Sequence, residues 1–372
     1  MRARRYLWCV ALAGCAPHPA AKGTPDAGHL QVLACDSLAA VGKWENITPT
    51  GPTLADGFMS QAFVVDPLHA GTVYVGVGHD PLIVKTSAPT LFKTSDCGAT
   101  WSHVNTGKNG ALLDEAMLWA LAIDPVDPDV LYAGSGYGAN GVFKSTNGGV
   151  DWVQILPPDI ESVLMYGGFV ERITIDPTDH LHLIVSPHFA CMNGHSNCVV
   201  ETMDGGTSWR IRDGMPDGGE DSGQLILDAH TWLWAAQSGL WRSGDGGASW
   251  QAVWKNWSFP SLYHSSDGNY YVMSAQDGLL QSSDSITWRA LSSSPHGRAV
   301  IGDGTTLFAS NRNFDNTPYQ PYSAATETGA TAWATYASPD MHQGGWLLQY
   351  DEAHHLLYSS NEKAGFWRVV TK

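Results

Sequence analysis

The chain has 372 residues, with 20 Lys and Arg against 36 Asp and Glu, for a formal net charge of −16. Hydrophobic residues make up 43% and charged residues only 15%, which excludes an extended disordered chain. The acid excess excludes nucleic acid as a partner, because phosphate binding draws on Lys and Arg.

The first elements form an address. Arg2, Arg4 and Arg5 precede a short apolar run from Leu7 to Ala13, well below the roughly 20 residues a membrane span needs. Leu12-Ala13-Gly14-Cys15 resembles the lipobox of bacterial lipoproteins, which implies a lipidated Cys15 after removal of residues 1–14. An ordinary secretory signal ending near Ala16 is the alternative. Residues 15–43, rich in Ala, Pro and Gly, read as a lipidated Cys and flexible tether. The expectation is an exported, lipid-anchored envelope protein, with the outer membrane favoured by Ala16, touching the membrane only through its anchor.

Residues 44–372 are repetitive. TSDCGATW at 94–101, STNGGVDW at 145–152, TMDGGTSW at 202–209 and SGDGGASW at 243–250 share one pattern, and degraded copies end at Trp288 and Trp333. In each, Asp96, Asn147, Asp204 or Asp245 can accept hydrogen bonds from its own turn. The Gly two residues on permits a tight hairpin, and the closing Trp buries a large ring. The pattern resembles the Asp-box, or BNR, repeat, and these acids are read as structural. It accounts for much of the excess of 16 Trp.

A strand-turn-strand unit precedes each box. Its turn acids, Asp66, Asp124, Asp176, Asp228, Asp267, Asp303 and Asp351, stand 58, 52, 52, 39, 36 and 48 residues apart. Seven copies predict an all-β, seven-bladed β-propeller of four-stranded antiparallel blades. GFWRVV at 365–370 resembles a strand entering a box, and Trp44–Thr48 one leaving it. An N-terminal strand should therefore join the C-terminal blade and close the ring.

Four Cys remain in the exported body. The register places Cys97 on the box face of blade 1 and Cys35 near the adjoining seventh blade. Cys191 and Cys198 share one loop on the opposite face. The predicted disulfides are therefore Cys35–Cys97 and Cys191–Cys198. His188 and His195 beside the second pair leave a metal cluster as the competing reading, but no metal and no cofactor is expected.

Both hairpin turns of each blade fall on one face, so function is expected on the other, as in sialidases and related Asp-box propellers. Carboxylates there could act as general acid and base or nucleophile; Asp114, Glu115 and Glu171 are candidates. Glu171-Arg172 at the entry of an inner strand is the pair most expected to face the axis, with a structural ion pair as the competing reading. Tyr263-His264, read as opening another inner strand, could serve β-elimination from a uronate, as in some seven-bladed polysaccharide lyases; a packed Tyr and a satisfied His compete. Trp257, Trp346, Tyr166, His188, Arg312 and His342 are candidate binding residues. The wider rim includes His79, Asp80, His195, Asp221 and Arg298.

The resemblance reaches several families: sialidases, xyloglucan-active glycoside hydrolases, sortilin-like receptors and photosystem II assembly factors. Sialidase activity is disfavoured, because no F/Y-R-I-P motif is present and no Arg falls between Trp44 and Lys93. The xyloglucan-active enzymes use two propellers, and this chain supplies one. Two readings follow: a monomeric module binding a glycan, peptide or envelope protein on the open face, or a glycoside hydrolase or polysaccharide lyase acting there.

Overall fold

Runs of β-branched and aromatic residues separated by Asp- and Gly-rich turns build seven four-stranded antiparallel sheets arranged as blades of a ring. The computed structural model describes residue 35 and residues 38–50, 59–78, 89–136, 141–164, 168–291, 294–310, 322–327, 332–336, 341, 345–361 and 365–372. Blade 1 comprises Met59–Val65, Val73–Gly78, Leu91–Thr94 and Ser102–His103; blade 2, Leu118–Ile123, Leu131–Ser135, Gly141–Ser145 and Val153–Gln154. Blade 3 comprises Val170–Asp176, Asp179–Pro187, Val199–Thr202 and Arg210–Arg212; blade 4, Gly223–Ile226, Trp232–Ala236, Gly239–Ser243 and Gln251–Trp254. Blade 5 comprises Ser258–His264, Tyr270–Ser274, Gly278–Ser282 and Arg289–Ala290; blade 6, Val300–Gly302, Thr306–Ala309, Tyr322–Thr326 and Ala334–Tyr336. Helix is scarce: the single turns Gly110–Leu113 and Pro158–Glu161, with Gly168 also helical, are what the described residues show.

The second strands are buried throughout in blades 1, 2 and 4, because neighbouring blades cover both of their faces. Tyr74, Tyr132, Trp232 and Trp234 fill the spaces between sheets.

Blade 7 is completed from both chain ends. Leu347–Asp351, Leu356–Asn361 and Gly365–Val370 are joined by Trp44–Asn46, with Trp44 opposite Val369 and Asn46 opposite Trp367. Arg368 secures this closure by donating to Glu45 Oε2 at 3.0 Å and to the Cys97 carbonyl at 2.5 Å. Across the seam with blade 1, Gln349 accepts from the Val65 amide and donates to the Phe63 carbonyl, both at 2.8 Å. Cys35 and Leu38 pack against the same core, and Cys35 is bonded to Cys97.

The boxes have the expected chemistry. In the first, Asp96 Oδ1 accepts the Thr100 amide at 2.8 Å, and Thr94 Oγ1 accepts the Gly98 amide at 2.9 Å. The same pair of bonds recurs around Asn147, Asp204 and Asp245. The Ser208 hydroxyl and neighbouring amides of its own turn hold the Asp204 carboxyl down at about 2. Two successive left-handed residues form each of these turns, Gly148-Gly149, Gly205-Gly206 and Gly246-Gly247, with Cys97-Gly98 in the first. In the shortened fifth box Ser285 takes this conformation, at φ 60°.

Burial of the box tryptophans is uneven, which corrects the expectation of a uniformly buried ring. Trp152 and Trp288 are buried, but Trp101, Trp209 and Trp250 are half-buried. Trp152 Nε1 donates to Gly149 O at 2.8 Å, Trp209 Nε1 to Gly206 O at 3.2 Å, and Trp288 Nε1 to Ser285 O at 3.1 Å.

Candidate functional site

Every inner strand runs from the open face towards the boxes, so its first residues gather around the axis on the open face. Blade 3 contributes Phe169, Glu171, Arg172 and His188; blade 4 contributes Asp221, just before Gly223–Ile226. Blade 2 supplies Trp119, blade 5 Phe259, and the entries of blades 6 and 7 supply Arg298 and Trp346. Trp119, Glu171, Arg172, Arg298 and Trp346 line a cavity of about 50 Å³.

An ion network binds these residues together. Glu171 Oε2 lies 2.5 Å from His188 Nδ1, while Glu171 Oε1 accepts the Asp221 amide at 3.3 Å and stands 3.7 Å from Arg298 Nη2. Arg298 Nη2 also pairs with Asp221 Oδ1. Asp221 adopts φ 64°, an uncommon conformation for a residue other than Gly, and such outliers concentrate at functional sites. The guanidinium of Arg298 lies 3.3 Å from the centre of the Trp346 ring and 5.7 Å from that of Phe259. His188 stacks on Phe169 at 4.2 Å and meets Trp119 edge-on at 4.8 Å.

Arg298 is 5% exposed, yet its Nη1 has no hydrogen-bond partner, and neither has Arg172 Nε. Burial pushes the Arg172 guanidinium down to about 10, with Arg298 adding to the effect against Glu171 and Asp221.

Of the sequence candidates, Glu171, Arg172, His188 and Trp346 meet here, joined by Asp221 and Arg298 from the wider rim. Trp119 and Phe169 escaped the sequence reading, although each lies at the entry of an inner strand, the position that singled out Glu171. Asp114 belongs to a separate clasp: its Oδ1 accepts from the Thr90 amide at 3.0 Å and from Asn105 Nδ2 at 2.8 Å, and His103 Nε2 lies at 3.4 Å. Glu115 beside it is exposed. Trp257 is half-buried against Phe259, 5.2 Å between ring centres.

Tyr263-His264 requires a correction. The inner strand runs Ser258–His264, so the pair closes the strand at the box face and does not open it. The Tyr263 hydroxyl bonds to Glu327 at 2.5 Å, and His264 is exposed and stacked on Tyr270. Tyr166, Arg312, His342, His79, Asp80 and Cys15 lie outside the described residues.

Cys191 and Cys198 are bonded to each other, and the two histidines beside them go to different carboxylates, His188 to Glu171 and His195 to Asp213. Among the described residues, clustered metal-ligand atoms occur at Cys35, Cys97 and His354, where a disulfide consumes both sulfurs.

No family model matches the chain. A xyloglucanase of Acetivibrio thermocellus is 23% identical over 212 residues, covering 50% of this chain and 24% of that protein. A Paenibacillus xyloglucanase is 23% identical over 317 residues, covering 73% of this chain and 29% of that protein. The chain thus spans less than a third of the length of these relatives. Among solved structures, the Niastella koreensis GH74 enzyme superposes with a TM-score of 0.63 at 16% identity, covering 88% of this chain and 53% of that one. YCF48 bound to D1 peptide superposes with a TM-score of 0.59 at 12% identity, covering 90% and 99%. At such identities the likeness is one of fold, that of a β-propeller.

Proposed function

We propose that this propeller is a cell-envelope binding module that takes a glycan at the axis mouth of its open face, held outside the cell by a lipid on Cys15. The observation that carries the reading is the convergence of Glu171, Arg172, His188, Asp221, Arg298, Trp119 and Trp346, from five blades, on one mouth. Polar groups framed by aromatic rings are the composition of a small-molecule site. The xyloglucanases that share part of this sequence bear names that favour a glycan over a peptide or envelope protein.

Binding is favoured over hydrolysis by the state of the carboxylates. Hydrolysis needs two carboxyl groups flanking the bond, roughly 5–10 Å apart, with one able to deliver a proton. Glu171 and Asp221 instead share Arg298, and Glu171 is also bound to His188. A carbohydrate-active enzyme at the same mouth is the second reading, favoured by the Glu171–His188 contact, which could relay a proton.

A glycan-array screen of the purified chain, coupled to reducing-sugar and unsaturated-uronate assays, tests both. Retention of a glycan without release of either product is expected. Product release abolished by Glu171→Gln would replace the binding reading with the enzymatic one. Absence of any glycan signal would overturn both.

A further inference from the structure

We propose that the box face carries a binding site for a neutral saccharide unit, between the Asp267 turn and the shortened fifth box of blade 5. It is separate from the axis mouth and independent of how the mouth is read. A cavity of about 410 Å³ opens there, within the roughly 300–1,000 Å³ of small-molecule sites. Gln281, Ser282 and Trp288 are buried and form its floor, while Asp267, Asn269 and Arg289 stand at its rim.

Blade 5 departs from its neighbours at this place. In four other blades a cation crosses to the box turn of the next blade. Lys144 donates to Gly205 O at 2.8 Å, Arg212 to Gly246 O at 2.6 Å, Arg242 to Ser285 Oγ at 3.0 Å and Arg368 to Cys97 O at 2.5 Å. At the position of Lys144, Arg242 and Arg368, blade 5 carries Gln281. Its amide is held within the blade: Nε2 donates to the Tyr271 hydroxyl at 2.8 Å, and Oε1 accepts from Arg289 Nε at 3.1 Å and Nη2 at 2.5 Å. The side chain that elsewhere bridges two blades here borders open space.

The rim defines the ligand. Asp267 and Arg289 offset one another, so neither an anion nor a cation would meet an unbalanced charge. Both are also engaged locally, Arg289 by Gln281 and Asp267 Oδ1 by the Ser265 hydroxyl and the Asn269 amide. A carboxylate accepts about four hydrogen bonds and a guanidinium donates five, so each keeps capacity to spare. Acceptors and donors side by side match hydroxyl groups, which do both. Trp288 adds an apolar surface against which the C–H face of a sugar ring can lie.

The probe is a neutral xyloglucan oligosaccharide, with bound equivalents counted by equilibrium dialysis on the full chain. Ser283 is exposed and lines the cavity, so Ser283→Trp should fill it and remove one equivalent. Asn269→Ala should weaken that equivalent about three- to tenfold, the effect of one neutral hydrogen bond, and decides the matter if Ser283→Trp fails to fold by circular dichroism. A folded Ser283→Trp protein that keeps every equivalent, or unchanged affinity in Asn269→Ala, overturns the proposal; the sugar still bound then leaves the reading of the mouth standing. No binding by the native chain overturns both. Glycylglycine is the zwitterionic comparison, and its tighter binding at the equivalent lost in Ser283→Trp would overturn the proposal by making the ligand a charged one.

Discussion

The Tyr263 hydroxyl of blade 5 donates to Glu327 Oε1 of blade 6 at 2.5 Å. Glu327 stands where the intact boxes carry their Asp. It accepts the Gly304 amide at 2.8 Å and Ser266 Oγ at 3.0 Å. Glu327 is 2% exposed, and Gly302 leaves the room its contact needs, since a Cβ there would lie 2.3 Å from the Tyr263 ring. Glu327 thus pins blade 6 to blade 5. Burial, then Glu327, pushes the Tyr263 phenol well above its ordinary range.

Tyr263→Phe is expected to cost about 1.5–3 kcal/mol, the range for a bond to a charged partner whose loss leaves a buried carboxylate short of a donor. Urea denaturation measures it. An unchanged midpoint would show that Glu327 finds another donor at no cost.

The Cys35–Cys97 bridge closes 62 residues, for which the chain-entropy model gives roughly 4 kcal/mol, commonly less in practice. Cys35→Ser should lower the urea midpoint by that order, and dithiothreitol should do the same to the native protein. The Cys191–Cys198 bridge spans only 7 residues. Its removal is expected to cost less and to act locally, on the loop carrying His188. Equal losses from the two would show that loop length does not govern either bridge.

Trp152→Ala should destabilise by about 3–5 kcal/mol, the range for a buried aromatic. Its ring is fully buried, and its indole N–H bonds to Gly149 O. Trp209→Ala and Trp250→Ala should cost clearly less, because these rings are half-exposed. Parallel urea titrations decide this, and a larger loss at Trp209 than at Trp152 would contradict it.

The ring was legible because its signals are local. Each box carries Asp, Gly and Trp within eight residues, and the turn acids repeat often enough to count blades. The same register located Cys35 beside Cys97. The axis mouth is different in kind. Trp119 and Trp346 are separated by 227 residues and touch edge-on at 6.2 Å, a contact that no spacing encodes. Tyr263-His264 was misplaced by one reversal: a Pro-containing strand, Ser258–His264, starts five residues earlier than its pattern suggests. With Tyr263 moved to the box face, the mouth is left to Glu171-Arg172.

A second buried network, on the same blade as Glu171 and His188, makes stability depend on pH. His182 Nδ1 lies 2.9 Å from Asp176 Oδ2, and its Nε2 lies 2.8 Å from Glu201 Oε1. Glu201 also pairs with Arg210 Nε at 2.5 Å and Arg212 Nη1 at 3.0 Å. Burial opposes charge on His182, but Glu201 and Asp176 outweigh it and raise the imidazole above its ordinary value. Burial likewise opposes charge on Glu201, where His182 and the two arginines win and hold the carboxyl at about 2. The raised His182 contributes stability that is complete below its unfolded value of about 6.5 and is lost as pH rises through the folded one. The lowered Glu201 contributes stability that is complete above its unfolded value of about 4.3 and is lost as pH falls towards about 2. The network therefore stabilises most between roughly pH 4.5 and 6.5. His182→Gln should remove the decline above about pH 6.5, and Glu201→Gln should flatten the acid limb. Each should also cost about 3–5 kcal/mol at pH 5.5, as breaking one side of a buried ion network does. Urea midpoints from pH 3 to 8 give all three curves. Parallel curves for native protein and His182→Gln above pH 6.5 would show that His182 does not carry the charge assigned to it.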